Sequence, residues 1–128
     1  MKESIVLLGH GSRRSDANDI LRNMTDIIRS KVPIADIKVE CAYLEFAEPN
    51  IYDMLEKLAK ENFDFIYIIP YFLYSGNHVR RDIPEIVSKY KEKYPEINFK
   101  LGDYLGVDER IADLVAEKIA AVIPCQIS

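Results

Sequence analysis

Short apolar runs alternate along the chain with stretches in which apolar residues recur every three or four positions. Residues 4–8 form a run of Ser, Ile, Val and Leu that stops at Gly9, the pattern of a buried parallel strand. From Asp16 onward, Ala17, Ile20, Leu21, Met24, Ile27 and Ile28 fall on one helical face, with Asp16 as the expected N-cap and Pro33 marking the exit. Residues 37–44 read as a second strand. Pro49 then opens a helix that carries Ile51, Leu55, Leu58 and Ala59 on one side, with Met54 beside them. Residues 63–70 make the most apolar strand, which suits a central position. Asp82 and Pro84 mark the start of a third helix with Ile83, Ile86, Val87 and Tyr90 turned inward, and residues 97–101 form a fourth strand. A last helix from about Asp108 is expected to turn Ile111, Leu114, Val115, Ile119 and Val122 to the core.

A strand followed by a helix, four times over, requires right-handed crossovers and a mostly parallel sheet with helices on both faces. The expected fold is therefore a three-layer α/β domain with strand order 2-1-3-4, half of a doubly wound sheet. The 128 residues are enough for one such domain. Hydrophobic residues at 48% and charged residues at 30% describe a globular chain, not a disordered one. The net charge of -4 offers no overall attraction to nucleic acid or to an anionic membrane, so an anionic ligand needs a local cationic patch. No apolar run approaches the roughly 20 residues that cross a bilayer. Met1-Lys2-Glu3-Ser4 leads directly into the first strand without a signal-peptide core, which points to the cytoplasm. Cys41 and Cys125 have no CxxC partner; Cys41 reads as a small buried hydrophobe and Cys125 as incidental.

Ligands of open α/β sheets bind beyond the carboxyl ends of the strands, where the strand order reverses. Here that point falls between strands 1 and 3. The segments just past those ends are Gly9-His10-Gly11-Ser12-Arg13-Arg14 and Tyr74-Ser75-Gly76-Asn77-His78-Val79-Arg80-Arg81, and they hold the chain's two histidines, His10 and His78. A lone histidine is usually a hydrogen-bonded structural residue, but two in equivalent loops at one mouth suggest a site. Strand 2 delivers Glu45 to the same mouth. By itself Glu45 is a solvated loop charge or a helix N-terminal acid; beside two histidines it becomes a third ligand or a proton acceptor. A His-Glu-His set suits a first-row divalent ion. No closed structural-zinc spacing is present, so an open site for transient metal handling or catalysis is expected.

Arg13, Arg14, Arg80 and Arg81 flank the two histidines. They form either an ordinary solvated rim or a mouth that grips a polycarboxylate through guanidinium forks. Ser12, Tyr74, Ser75, Gly76 and Asn77 lie in the same segments and are expected to contact substrate. Tyr71-Phe72-Leu73-Tyr74 is either core packing or an apolar wall for a flat ligand or a partner subunit.

The strand ending in Gly9-His10-Gly11-Ser12-Arg13, the segment from Glu45 to Pro49, and Gly76-Asn77-His78-Val79-Arg80-Arg81-Asp82-Ile83-Pro84 together resemble the small form of the sirohydrochlorin chelatases, relatives of ferrochelatase. The resemblance spans nearly the whole chain. It implies insertion of cobalt or nickel, as a substrate with no permanent cofactor, into a sirohydrochlorin-type tetrapyrrole in cobalamin or nickel-tetrapyrrole synthesis. It also implies a homodimer around a shared cavity, His10 and His78 as active-site histidines, and Glu45 as the acidic residue between them. The histidine-rich stretch of some relatives is missing. An imidazole with an ordinary pKa of about 6.5 is suited to accept the pyrrole protons that leave as metal enters. Two other classes stay open. One is a non-catalytic metal or tetrapyrrole carrier, and the other a phosphohistidine enzyme with His10 as nucleophile and Arg13 as phosphate clamp. No Gly-x-Ser-x-Gly elbow can be drawn around Ser12.

Overall fold

The computed structural model describes residues 1–34, 36–74 and 76–124, excluding the side chain of His78; Ser75 and Cys125 lie outside the described residues. In chain order the elements are β1 (Glu3–Gly9), α1 (Ser15–Lys31), β2 (Lys38–Tyr43), α2 (Ile51–Lys60), β3 (Phe65–Pro70), α3 (Asn77–Lys93), β4 (Asn98–Leu101) and α4 (Glu109–Val122). The four strands form one parallel sheet in the order β2-β1-β3-β4, as the alternation of strands and helices predicts. In its register Leu7 lies between Cys41 and Ile69, and Ile66 lies beside Phe99.

Because side chains alternate along a strand, each strand serves both faces. Val6, Leu8, Ala42, Ile66, Ile68 and Phe99 meet α2 and α3 through Ile51, Leu55, Leu58, Ile83, Val87 and Tyr90, and this is the larger core. On the other face Leu7, Val39 and Tyr43 pack with Leu21 and Ile28 of α1. Cys41 is a free, half-buried thiol in that second cluster, as its isolation in the sequence suggested.

Four local expectations need correction. The N-cap of α1 is Arg14, not Asp16, and its side chain makes no capping bond. The same helix buries Asn18, Leu21 and Thr25, while Ala17, Ile20 and Ile27 are exposed. Polar residues replace apolar ones in the contact because their polar atoms are satisfied locally: the Thr25 hydroxyl donates to the Leu21 carbonyl at 2.7 Å. The N-cap of α2 is Asn50, whose side chain accepts from the Asp53 amide, so Pro49 precedes the helix. Finally, α3 begins at Asn77 behind a Gly76 N-cap, and Pro84 sits inside it. The proline withdraws the donor that the Arg80 carbonyl would have used, a loss that solvent offsets at an exposed position. His78 is thereby on the first turn of a helix, not in a loop.

The largest departure concerns α4. None of its residues is buried, and Leu114, Val115, Ile119 and Val122 are among the exposed hydrophobics. The 3.6-residue period correctly foretold the helix, and Asp108 caps it by accepting from the Arg110 amide at 2.8 Å. The period did not say which surface the apolar face would meet. Among the described residues no helix is long and apolar enough to cross a membrane.

Candidate active site

β1 and β2 continue to pair past their formal ends. The Leu44 amide donates to the Gly9 carbonyl at 2.9 Å and the Glu45 amide to the His10 carbonyl at 3.0 Å. This places the two side chains opposite each other, with His10 Nε2 3.1 Å from Glu45 Oε1. The two side chains are 54% and 49% exposed, so their attraction is screened and worth about 0–1 kcal/mol. The backbone therefore holds the pair in place, and both groups remain accessible to a ligand. Gly11 is required by this approach: its φ is +96°, and a Cβ there would lie 1.7 Å from the Glu45 carbonyl oxygen.

The loop carrying His10 is fastened from below. Buried Asn18 accepts from the Ser12 amide at 2.9 Å and donates Nδ2 to the Ser12 carbonyl at 2.8 Å. The Tyr43 hydroxyl in turn donates to the Asn18 carbonyl at 2.5 Å. Burial pushes the Tyr43 phenol up to about 12, with a further contribution from neighbouring Cys41. Asn18 and Tyr43 escaped the sequence reading. The only signal for Asn18 was a polar residue placed, at helical spacing, on the same side as Leu21 and Thr25.

Ser12 Oγ accepts from the Arg14 amide at 3.1 Å, closing a local turn. The Arg14 guanidinium is engaged in a two-pronged bond to Asp16, at 3.1 and 2.9 Å, which raises the arginine pKa and lowers that of the carboxyl. Arg13 instead lies over the ring of Phe46, 4.5 Å from its centroid. Phe46 is 53% exposed and has a φ of 65°, a left-handed conformation that costs a bulky residue on the order of 1–3 kcal/mol. Phe46 is thus a mouth residue that the sequence did not single out.

Of the apolar stretch after β3, Tyr71 and Phe72 pack inward, the core-packing role considered for it, while Leu73 and Tyr74 are exposed. The Phe72 ring lies 6.5 Å from the His10 ring at a tilt of 59°. Gly76, Asn77, Arg80 and Arg81 are exposed, and His78 occupies the first turn of α3 by its backbone. That turn carries no acidic residue, so the positive end of the helix favours an anion. Arg80 borders a cavity of about 180 Å³ with Ile83, Asp103 and Tyr104.

A larger cavity of about 440 Å³ opens at His10, lined also by Leu44, Glu45, Tyr52, Asp82, Glu85 and Lys89. Glu45 and Glu85 bring negative charge to this wall and Lys89 one positive charge. Among the described residues no set of three His, Cys, Asp or Glu side chains converges as a metal cage. The hollow beside His10 is therefore lined by carboxylates and by Val79 from the first turn of α3, and none of the four arginines is among its lining residues.

The chain matches the CbiX family model over residues 4–122. It is 33% identical to the sirohydrochlorin cobaltochelatase of Methanococcus aeolicus, covering 91% of this chain and 96% of that protein. It is also 33% identical to the sirohydrochlorin ferrochelatase of Priestia megaterium, covering 91% of this chain and 43% of the relative. Among solved structures, the sirohydrochlorin chelatase SirB of Bacillus subtilis subspecies spizizenii, in complex with cobalt, superposes with a TM-score of 0.85 at 28% identity. That match covers 95% of this chain and 51% of SirB. The chain thus spans nearly all of the Methanococcus protein and about half of the other two. With the β2-β1-β3-β4 sheet, the His10–Glu45 mouth and a family match across almost every element, the chain belongs to the CbiX family.

Proposed function

We propose that the protein is a sirohydrochlorin chelatase that inserts a divalent metal into the tetrapyrrole, with cobalt and nickel as the metals first tested. The observation that carries this reading is the solvent-open contact between His10 and Glu45 beside a carboxylate-lined hollow. The names of the relatives, for cobalt and for iron, support the same chemistry.

Insertion exchanges one divalent ion for two pyrrole N–H protons. A neutral imidazole binds such an ion and also accepts a proton, and the second event weakens the first. In this reading His10 and His78 alternate between the two tasks. Glu45 holds the incoming cation and offsets the positive charge that His10 gains on protonation. Arg13, Arg80, Arg81 and the α3 N-terminus receive the carboxylates of the macrocycle, with Ser12, Arg14, Tyr74, Ser75, Gly76 and Asn77 around them. Two copies facing each other enclose a flat ligand that one open mouth leaves half in water.

The rate of cobalt uptake by sirohydrochlorin, followed by absorbance with and without protein, separates an enzyme from a carrier. Many turnovers per chain are expected; stoichiometric binding with no faster insertion overturns the reading. His10→Ala and His78→Ala are each expected to lower insertion at least tenfold with the circular dichroism spectrum unchanged. Wild-type rates in both end the proposed mechanism. Parallel runs with nickel and iron under metal-limited conditions rank the metals.

A further inference from the structure

We propose that Phe46 is a stacking platform for the flat, conjugated ring of the substrate, with Arg13 behind it. This rests on the chelatase reading and adds the residue that meets the face of the macrocycle, as distinct from its carboxylates.

The ring is held where packing gives no reason for it. Among the described residues, the non-glycine positions with positive φ are Asp36, Phe46 and Asn62. Asp and Asn adopt that region readily, since their short polar side chains bond to nearby backbone. A phenyl ring makes no such bond. Burial does not offset the strain either, because Phe46 is 53% exposed and belongs to neither cluster of the core. A bulky side chain kept strained and open to solvent beside a reactive pair points to a ligand contact, since nothing in the folded chain compensates for it.

The position fits that contact. Phe46 directly follows Glu45, the partner of His10. It borders a hollow of about 380 Å³ together with Ala47, Glu48 and Asn50. Leu44, Glu45 and Tyr52 border both this hollow and the one at His10, so the two adjoin. A ligand broad enough to have its centre at His10 and its edge beyond Glu45 arrives at Phe46.

Arg13 supplies the backing. Its guanidinium lies over one face of the ring, 4.5 Å from the centroid, which leaves the opposite face for a ligand. Among the described residues no hydrogen bond or ion pair engages that guanidinium, whereas Arg14 is bound to Asp16. A stacked guanidinium keeps its in-plane N–H donors free for a carboxylate. The pair thus offers an aromatic face with cationic donors at its edge. The complementary ligand is a planar conjugated ring with carboxylates on its periphery.

The test titrates the full chain with metal-free sirohydrochlorin under anaerobic conditions, followed by absorbance, and measures urea unfolding of each variant. Phe46→Gly is expected to weaken binding at least about tenfold, the scale of one aromatic stack. Its urea midpoint is expected to stay at or above that of wild type, because glycine accepts the positive φ without strain. Phe46→Tyr, which keeps the π face, is expected to bind within about twofold of wild type. Phe46→Leu, apolar but without that face, is expected to resemble Phe46→Gly. In turnover the loss is expected in KM more than in kcat. Equal binding by wild type, Phe46→Gly and Phe46→Leu overturns the proposal and leaves the chelatase reading standing. Wild-type binding by Phe46→Leu alone assigns the contact to apolar burial and overturns the stacking. A lowered midpoint together with lost binding in Phe46→Gly assigns the ring to support of its own loop and overturns it too. A wild-type chain that binds no tetrapyrrole removes the chelatase reading and the platform together.

Discussion

His10 Nε2 lies 3.1 Å from Glu45 Oε1, and the Glu45 amide donates to the His10 carbonyl at 3.0 Å. The two residues are thus joined twice, once by backbone and once by side chain, although 34 residues of chain separate them. The division of labour matters. The backbone bond continues the β1–β2 ladder and needs no charge, so the side chains keep their facing positions whether or not the imidazole is protonated. Under the proposed function, a pair that releases a cation and accepts a proton gains from such a mounting, because its geometry does not depend on its charge.

Gly11 makes that mounting sterically possible. Gly11→Ala places a methyl group into the Glu45 carbonyl and holds an L-residue at positive φ. The expected cost is about 2 kcal/mol or more of stability, with loss of insertion activity as Glu45 is pushed away. Urea unfolding followed by fluorescence measures the first, and an unchanged midpoint refutes the steric account.

Asn18 holds the Ser12 peptide from both sides, and its replacement by alanine leaves an amide and a carbonyl without partners. A loss of about 1–3 kcal/mol is expected. Asn18→Asp retains the acceptor and loses the donor, so it should fall between wild type and Asn18→Ala. Equal stability of all three proteins would show that the loop is held by other means.

The arginines at the mouth are expected to differ in effect. Joint replacement of Arg80 and Arg81 by alanine should weaken capture of a polycarboxylate most at low salt, since attraction between exposed charges is screened. Arg14→Ala should change capture little, because Asp16 already occupies its guanidinium. Titrations of the tetrapyrrole at low and high salt test both. Equal salt dependence in the double variant and wild type removes Arg80 and Arg81 from the rim.

Two buried phenols set an alkaline limit. Burial pushes both Tyr43 and Tyr90 up to about 12. An unfolded tyrosine ionises at about 10, so between those values the folded chain keeps protons that the unfolded chain has released. The stability they contribute is full below about pH 10 and is lost as pH rises through about 12. Denaturant midpoints measured across that window should fall with pH, and the combined Tyr43→Phe and Tyr90→Phe variant should flatten the slope. An equally steep fall in the variant assigns the loss to other groups.

The sequence alone determined the alternation of strands and helices, the order of the sheet and the mouth to which His10 and Glu45 are delivered. Apolar period reports how an element is built, and right-handed crossover leaves few ways to order four parallel strands. Only the tertiary structure decided that Asn18 and Tyr43 fasten the site, that Arg14 is spent on Asp16 while Arg13 covers Phe46, and that His78 stands on a helix. Those outcomes depend on which polar atoms find partners across the fold, and spacing along a chain carries no record of that. The fate of α4 marks the same boundary. Its periodicity demanded a partner surface, yet a hydrophobic stripe has no direction in space until the connection before it has been folded.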